Sequence, residues 1–246
     1  MEDTLKDALA FSDRVHGFVT RRLLGSARSA EGSAGDEFYF VPMALLARAL
    51  RHHKAIALLV SEGYITEAAI VGLTQFELCL DMLYIAEDRV RATDWMRHAS
   101  ERSAPWSVKQ KINAVYATDP QLREANHGAF CDLSKIKHAN PLAGPRGFTM
   151  RVSSEKLTIS AEPDADNFSR GWSIIMIAFC CHKILEAMGA VKKCHSEFVQ
   201  FDEGFDAELG SMIAECSNRV ARAVTTLGLL EEGDVNRGTV PRSKPC

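Results

Sequence analysis

The run Thr66-Glu67-Ala68-Ala69-Ile70-Val71-Gly72-Leu73-Thr74-Gln75-Phe76-Glu77-Leu78-Cys79-Leu80-Asp81-Met82-Leu83-Tyr84 decides the fold class. Ile70, Leu73, Phe76, Leu80, Leu83 and Tyr84 follow one another at helical spacing, until the charged cluster Glu87, Asp88 and Arg89 ends the pattern. Thr66 followed by Glu67 reads as the helix start. Glu77 lies on or beside the apolar stripe, where a carboxylate must find a donor.

The same period recurs on both sides. An amphipathic helix is expected over about residues 4–24, with Leu5, Ala8, Phe11, Val15, Phe18, Val19 and Leu23 apolar and Gly25 as its stop. Residues 25–37, rich in Gly, Ser and Ala, read as a flexible loop. Pro42 fits the first turn of a helix through Glu62, which Gly63 closes. Beyond Arg89, shorter helices are expected at about 93–102 and 107–117, and Asp119-Pro120 has the form of an N-cap and first-turn proline for a helix ending at His138. Phe148, Met150 and Val152 alternate, as do Leu157 and Ile159, so residues 146–160 read as one short hairpin. Two more helices follow at about 166–188 and 206–229, the first nearly apolar all round its middle. Residues 231–246 form a polar tail. The sum is a single, mainly α domain over residues 1–230, a bundle of about seven or eight helices with one short β-hairpin.

Composition narrows the function classes. The chain has 246 residues, 46% of them apolar, and a formal net charge of -3, which argues against a wholesale nucleic-acid coat but leaves room for a local basic face. Seven cysteines, an odd number set mostly in apolar helical runs, fit reduced thiols in a cytoplasmic protein. The N-terminus is acidic where a secretion signal needs a basic region. The greasiest run, Ile174 to Cys181, has about half the length of a bilayer span, so no membrane partner is expected. Phosphate-cradling glycine loops, dinucleotide fingerprints, nucleophile elbows and His-Glu-x-x-His motifs are absent from the sequence. Cys180, Cys181 and His182 with Cys194 and His195 invite a zinc reading, but consecutive helical cysteines point about 100 degrees apart. Neither a metal nor a cofactor is expected.

The chemistry-bearing segment is Leu133-Ser134-Lys135-Ile136-Lys137-His138-Ala139-Asn140-Pro141, where Asn140 and Pro141 stop a helix. Ser134 and His138 are four apart and share a face. His138 can serve as general acid or base, or simply meet the negative end of the helix dipole. Lys135 and Lys137 beside it can hold a phosphate or another anion, and Glu77 can pair with the imidazole. Arg48 and His53 form an Arg-x4-His pair, although on a regular helix Arg48 aligns with His52. Arg89 to Lys111 is rich in basic residues and interleaved with Trp95, His98 and Trp106, a composition that suits phosphates and unpaired bases or an ordinary solvated face.

The order Thr74-Gln75-Phe76-Glu77-Leu78-Cys79-Leu80, then Leu133 to His138, then Phe148 to Ile159, then Trp172 to Met188 resembles an uncharacterised bacterial all-helical family. In that family a mid-chain glutamate helix precedes a Ser-x-x-x-His helix end, a hairpin and a long apolar helix. It is similar in outline to HEPN domains, helical bundles that often dimerise and include RNases of toxin and phage-defence systems as well as inactive binding versions. The resemblance covers about residues 45–188. An arginine is often found four residues before the family glutamate, and Leu73 stands there in this chain.

The resemblance implies a HEPN-like RNA-binding or metal-independent RNA-cleaving protein of a bacterial defence, toxin or stress system, acting as a homo-oligomer. His138 would then be acid or base, Ser134 an orienting group and Glu77 its partner. Lys135, Lys137, Asn140, Arg48 and His53 would hold the RNA. The rival expectation is a non-enzymatic module that senses a ligand or holds a protein partner, with Glu77 and His138 as a structural clasp.

Overall fold

The computed structural model describes residues 4–29, 35–98, 105–138, 149–153, 156–160, 167–197, 199 and 201–226. Among these residues the chain is mainly helical, with eight helices: α1 Leu5–Ser29, α2 Glu37–Ser61, α3 Ile65–Ile85, α4 Val90–Arg97, α5 Val108–Val115, α6 Pro120–Lys137, α7 Asn167–His195 and α8 Phe205–Thr226. Between α6 and α7 lie two short strands, Thr149–Ser153 and Lys156–Ser160, paired antiparallel with Thr149 opposite Ser160 and Ser153 opposite Lys156.

Local chemistry accounts for several helix ends. Asp119 accepts hydrogen bonds from the backbone N–H groups of Gln121 and Leu122 at 3.0 and 2.9 Å, and Pro120 follows it as the first residue of α6. Ser107 caps α5 by accepting from Gln110 N at 3.2 Å. Gly63, at φ 84, makes the turn between α2 and α3 that a side chain would strain.

Several boundaries differ from the sequence reading. Gly25 does not stop α1, which continues to Ser29, so the expected loop at 25–37 is helical at both its ends. A mid-helix glycine costs only about 1 kcal/mol relative to alanine, and nothing near Gly25 demands a turn. Pro42 lies inside α2 rather than in its first turn, because Asp36 caps the helix by accepting from Phe38 N at 3.0 Å. α3 starts at Ile65 rather than Thr66, α4 starts at Val90 rather than 93, its expected end at 102 lying outside the described residues, and α7 runs past Met188 and Gly189 to His195.

α7 is the central helix, packed against α1, α2, α3 and α8. Ile177, Ala178, Cys181, Ile184, Leu185, Ala187 and Met188 are fully buried around its circumference, which is why this segment shows no single apolar stripe. Phe11, Val15 and Phe18 of α1, Leu46 and Ile56 of α2, Met82 of α3 and Phe205 of α8 join the same core. Each such side chain contributes about 1.5–3 kcal/mol by leaving water. A smaller cluster of Phe76, Leu80, Ile112 and Tyr116 fastens α5 to α3, with Phe130 of α6 and Phe179 of α7 against it. α3 and residues 171–195 of α7 are long and apolar enough to cross a membrane, and 67% and 72% of their most apolar windows are buried in the fold, as core helices require.

Candidate functional site

The end of α6 is positioned by its apolar side. Leu133 is buried and Ile136 packs on the core, which turns Lys137 and His138 to solvent and leaves Ser134 and Lys135 half-buried. His138 is the C-cap, its backbone N–H donating to the Ser134 carbonyl at 3.0 Å. Lys135 reaches back to Asp132, Nζ to Oδ1 3.1 Å. Asn140 lies outside the described residues.

Glu77 is half-buried on α3. Among the described residues no hydrogen bond or ion pair joins it to His138, so the expected clasp between them is not formed. The carbonyls at a helix C-terminus also present the negative end of the dipole, which opposes an incoming phosphate and favours a cation. Arg48 and His53 are likewise separated: Arg48 is exposed, whereas His53 is 1% exposed and faces the core. Arg48 lies instead beside His52, whose pKa burial and that arginine both lower.

In the basic window at 89–111, Arg89, Arg91 and Lys111 are held by the fold, Arg97 and Lys109 are exposed, and Arg102 lies outside the described residues. Arg89 is bound by Asp36 and Glu197. Arg91 lies over the Tyr84 ring, 3.7 Å from its centroid, and donates to the Tyr84 carbonyl at 2.7 Å. Lys111, 4% exposed, binds Asp81 at 2.5 Å. Trp106 packs edge-on against Tyr84 at 4.9 Å, and the Trp95 side chain bonds Asp81. Burial raises the Asp81 pKa against the opposing pull of Lys111.

Two buried polar clusters stand away from the α6 end, the first built on His53, which the sequence reading had assigned to RNA binding beside Arg48. In the first, Ser12 of α1 and His53 of α2 meet, Oγ to Nε2 2.9 Å, with Cys181 Sγ of α7 at 4.0 Å from the same nitrogen. His16 stacks on His53, centroids 6.3 Å apart and planes 7° from parallel. Burial pushes His53 down to about 4. Its Nδ1 has no partner, so no carboxylate orients the ring as an acid–base relay would need. Ser12, His53 and Cys181 are each at most 1% exposed, which closes the serine to any substrate.

In the second, Lys183 of α7 donates to Glu186 at 2.6 Å and to the Tyr116 hydroxyl at 3.2 Å, while Tyr116 donates to Glu186 at 3.2 Å. The rings of Phe76, Tyr116 and Phe179 stand 5.4–5.8 Å from the ammonium. His182 Nδ1 lies 3.6 Å from Glu186, and burial lowers its pKa. Burial first, and Glu186 second, raise the Tyr116 pKa, so the phenol stays protonated and acts as a donor. One cation, one carboxylate and one phenol thus satisfy one another.

The second cluster left a sequence signal, a Lys and a Glu three apart in an apolar run; the first left only Ser12 and His53 inside otherwise apolar stripes. Cys180 and Cys181 diverge, the former toward Met176 at 3.8 Å and the latter toward His53. Among the described residues no three His, Cys, Asp or Glu side chains converge as metal ligands would. The class these features define is a mainly helical bundle with internal polar clasps. Comparison with protein-family models, curated proteins and solved structures finds no match to this chain.

Proposed function

We propose that the chain is one helical domain carrying a short hairpin and acting as a non-enzymatic interaction module. The observation that supports this reading is that Ser12 with His53, and Lys183 with Glu186 and Tyr116, close on one another inside the bundle. Groups held this way stabilise one packing arrangement and offer nothing to a substrate. Incubation with single-stranded RNA is the test. The expected result is neither cleavage nor retention, with His138→Ala melting within about 2 °C of the parent.

The RNA-directed alternative, HEPN-like in outline, draws support from the exposure of His138 and Lys137 at the α6 end. RNA cleavage that disappears in a stable His138→Ala variant would replace the first reading with this one.

A further inference from the structure

The outer face of α2 has features that nothing inside the bundle uses. Phe40, Ala44, Ala47, Arg51 and Leu58 are exposed along it, with Phe40 and Leu58 at 53% and 57%. Phe40, Ala44, Ala47 and Leu58 lie on the heptad row that a second helix packs against, with Arg51 and Lys54 at the two positions of that row before Leu58. Phe40 and Leu58 stand about 27 Å apart along the helix, the span of a partner of five turns.

Charge selects the partner. Arg48 and Arg51, three apart and exposed, have no ion pair among the described residues, whereas Arg14, Arg22, Arg89, Lys192 and Lys193 all reach carboxylates. No acidic residue occurs between Phe38 and Ser61. Asp13 of α1 is occupied by Lys54. A second copy of this face, laid antiparallel, would set arginine against arginine with no carboxylate between them. Nucleic acid would use the arginines but not the apolar residues on either side of them.

We infer that the outer face of α2 docks an amphipathic helix of another protein, one with apolar residues at heptad spacing and carboxylates opposite Arg48 and Arg51. This rests on the interaction-module reading and names its partner's chemistry. The probe is a synthetic helix of about three heptads, with leucine to face Phe40, Ala44, Ala47 and Leu58 and glutamate to face Arg48 and Arg51, compared with the same helix carrying lysine for glutamate. Both are titrated into the full chain by fluorescence anisotropy.

The glutamate helix is expected to bind and the lysine helix to fail. R48E/R51E, folded by circular dichroism, should weaken binding at least about tenfold, and Phe40→Ala by about threefold. Equal binding of both helices, or of neither, overturns the inference. So does self-association that Phe40→Ser and Leu58→Ser abolish. Single-stranded RNA retained by the parent and lost by R48E/R51E would overturn both this inference and the interaction-module reading. Failure of the helices with no RNA bound or cut leaves that reading standing and removes only the partner assigned here.

Discussion

Lys183 is the residue on which the interior polar chemistry turns. The residue is 4% exposed and its ammonium is held by Glu186 at 2.6 Å. Glu186→Ala would strand that charge among Phe76, Tyr116 and Phe179, and should cost about 3 kcal/mol. Exchanging the charges together, Lys183→Met with Glu186→Leu, should be near neutral, since the desolvation penalty of both ions goes with them. Urea unfolding of the two variants measures the contrast; equal losses would mean that Lys183 finds water or another acceptor. At the α6 end, Ser134, Lys137 and His138 were legible as a polar group sharing a helix end. What could not be read there was distance: Glu77 sits on another helix, and helical spacing says nothing about where two helices cross.

At the scale of elements, α3 and α7 approach closely at Gly72. A Cβ there would lie 3.2 Å from Met176 Sδ and 3.6 Å from Cys180 Sγ. Gly72→Ala should therefore destabilise by about 1 kcal/mol, the packing conflict exceeding the gain in helix propensity. Gly25→Ala has the opposite sign. Nothing lies within 4 Å of its Cβ position and the backbone is helical, so α1 should gain about 0.5–1 kcal/mol. Thermal melts of the two variants, shifted down and up respectively, check the assignment. Helix existence was readable from the period of apolar residues, and the starts of α5 and α6 from Ser107 and Asp119. The ends at Gly25 and Met188 were misread because a glycine's local preference is weaker than the packing of the helix that runs through it.

For the whole molecule, the buried histidines set the response to acid. Burial pushes His53 and His195 down to about 4, from the ordinary imidazole value of about 6.5. Both are neutral in the fold and take up protons more readily when the chain is unfolded. Their contribution is full above about pH 6.5, falls as pH drops through that value, and is exhausted near pH 4. Each should cost about 2 kcal/mol of stability by pH 5. Urea midpoints at pH 7 and pH 5 measure this, and a midpoint unchanged between them would show that water or a carboxylate reaches the imidazoles.

Sequence by itself determined that this chain is mainly helical and roughly where its helices lie, because apolar periodicity is a local property of consecutive residues. Its chemistry was settled at longer range. Ser12 and His53 are 41 residues apart, Asp81 and Lys111 30, and Tyr116 and Glu186 70, and only the packing of α1 on α2, of α5 on α3 and of the residue that caps α5 on α7 brings them within hydrogen-bond reach. The same packing leaves Glu77 and His138 without a bond between them, draws Arg89, Arg91 and Lys111 into the fold, and leaves Arg48 and Arg51 facing outward. A residue's type sets what it can do, but its burial and its neighbours, fixed by how whole helices pack, decide whether it is free to do it.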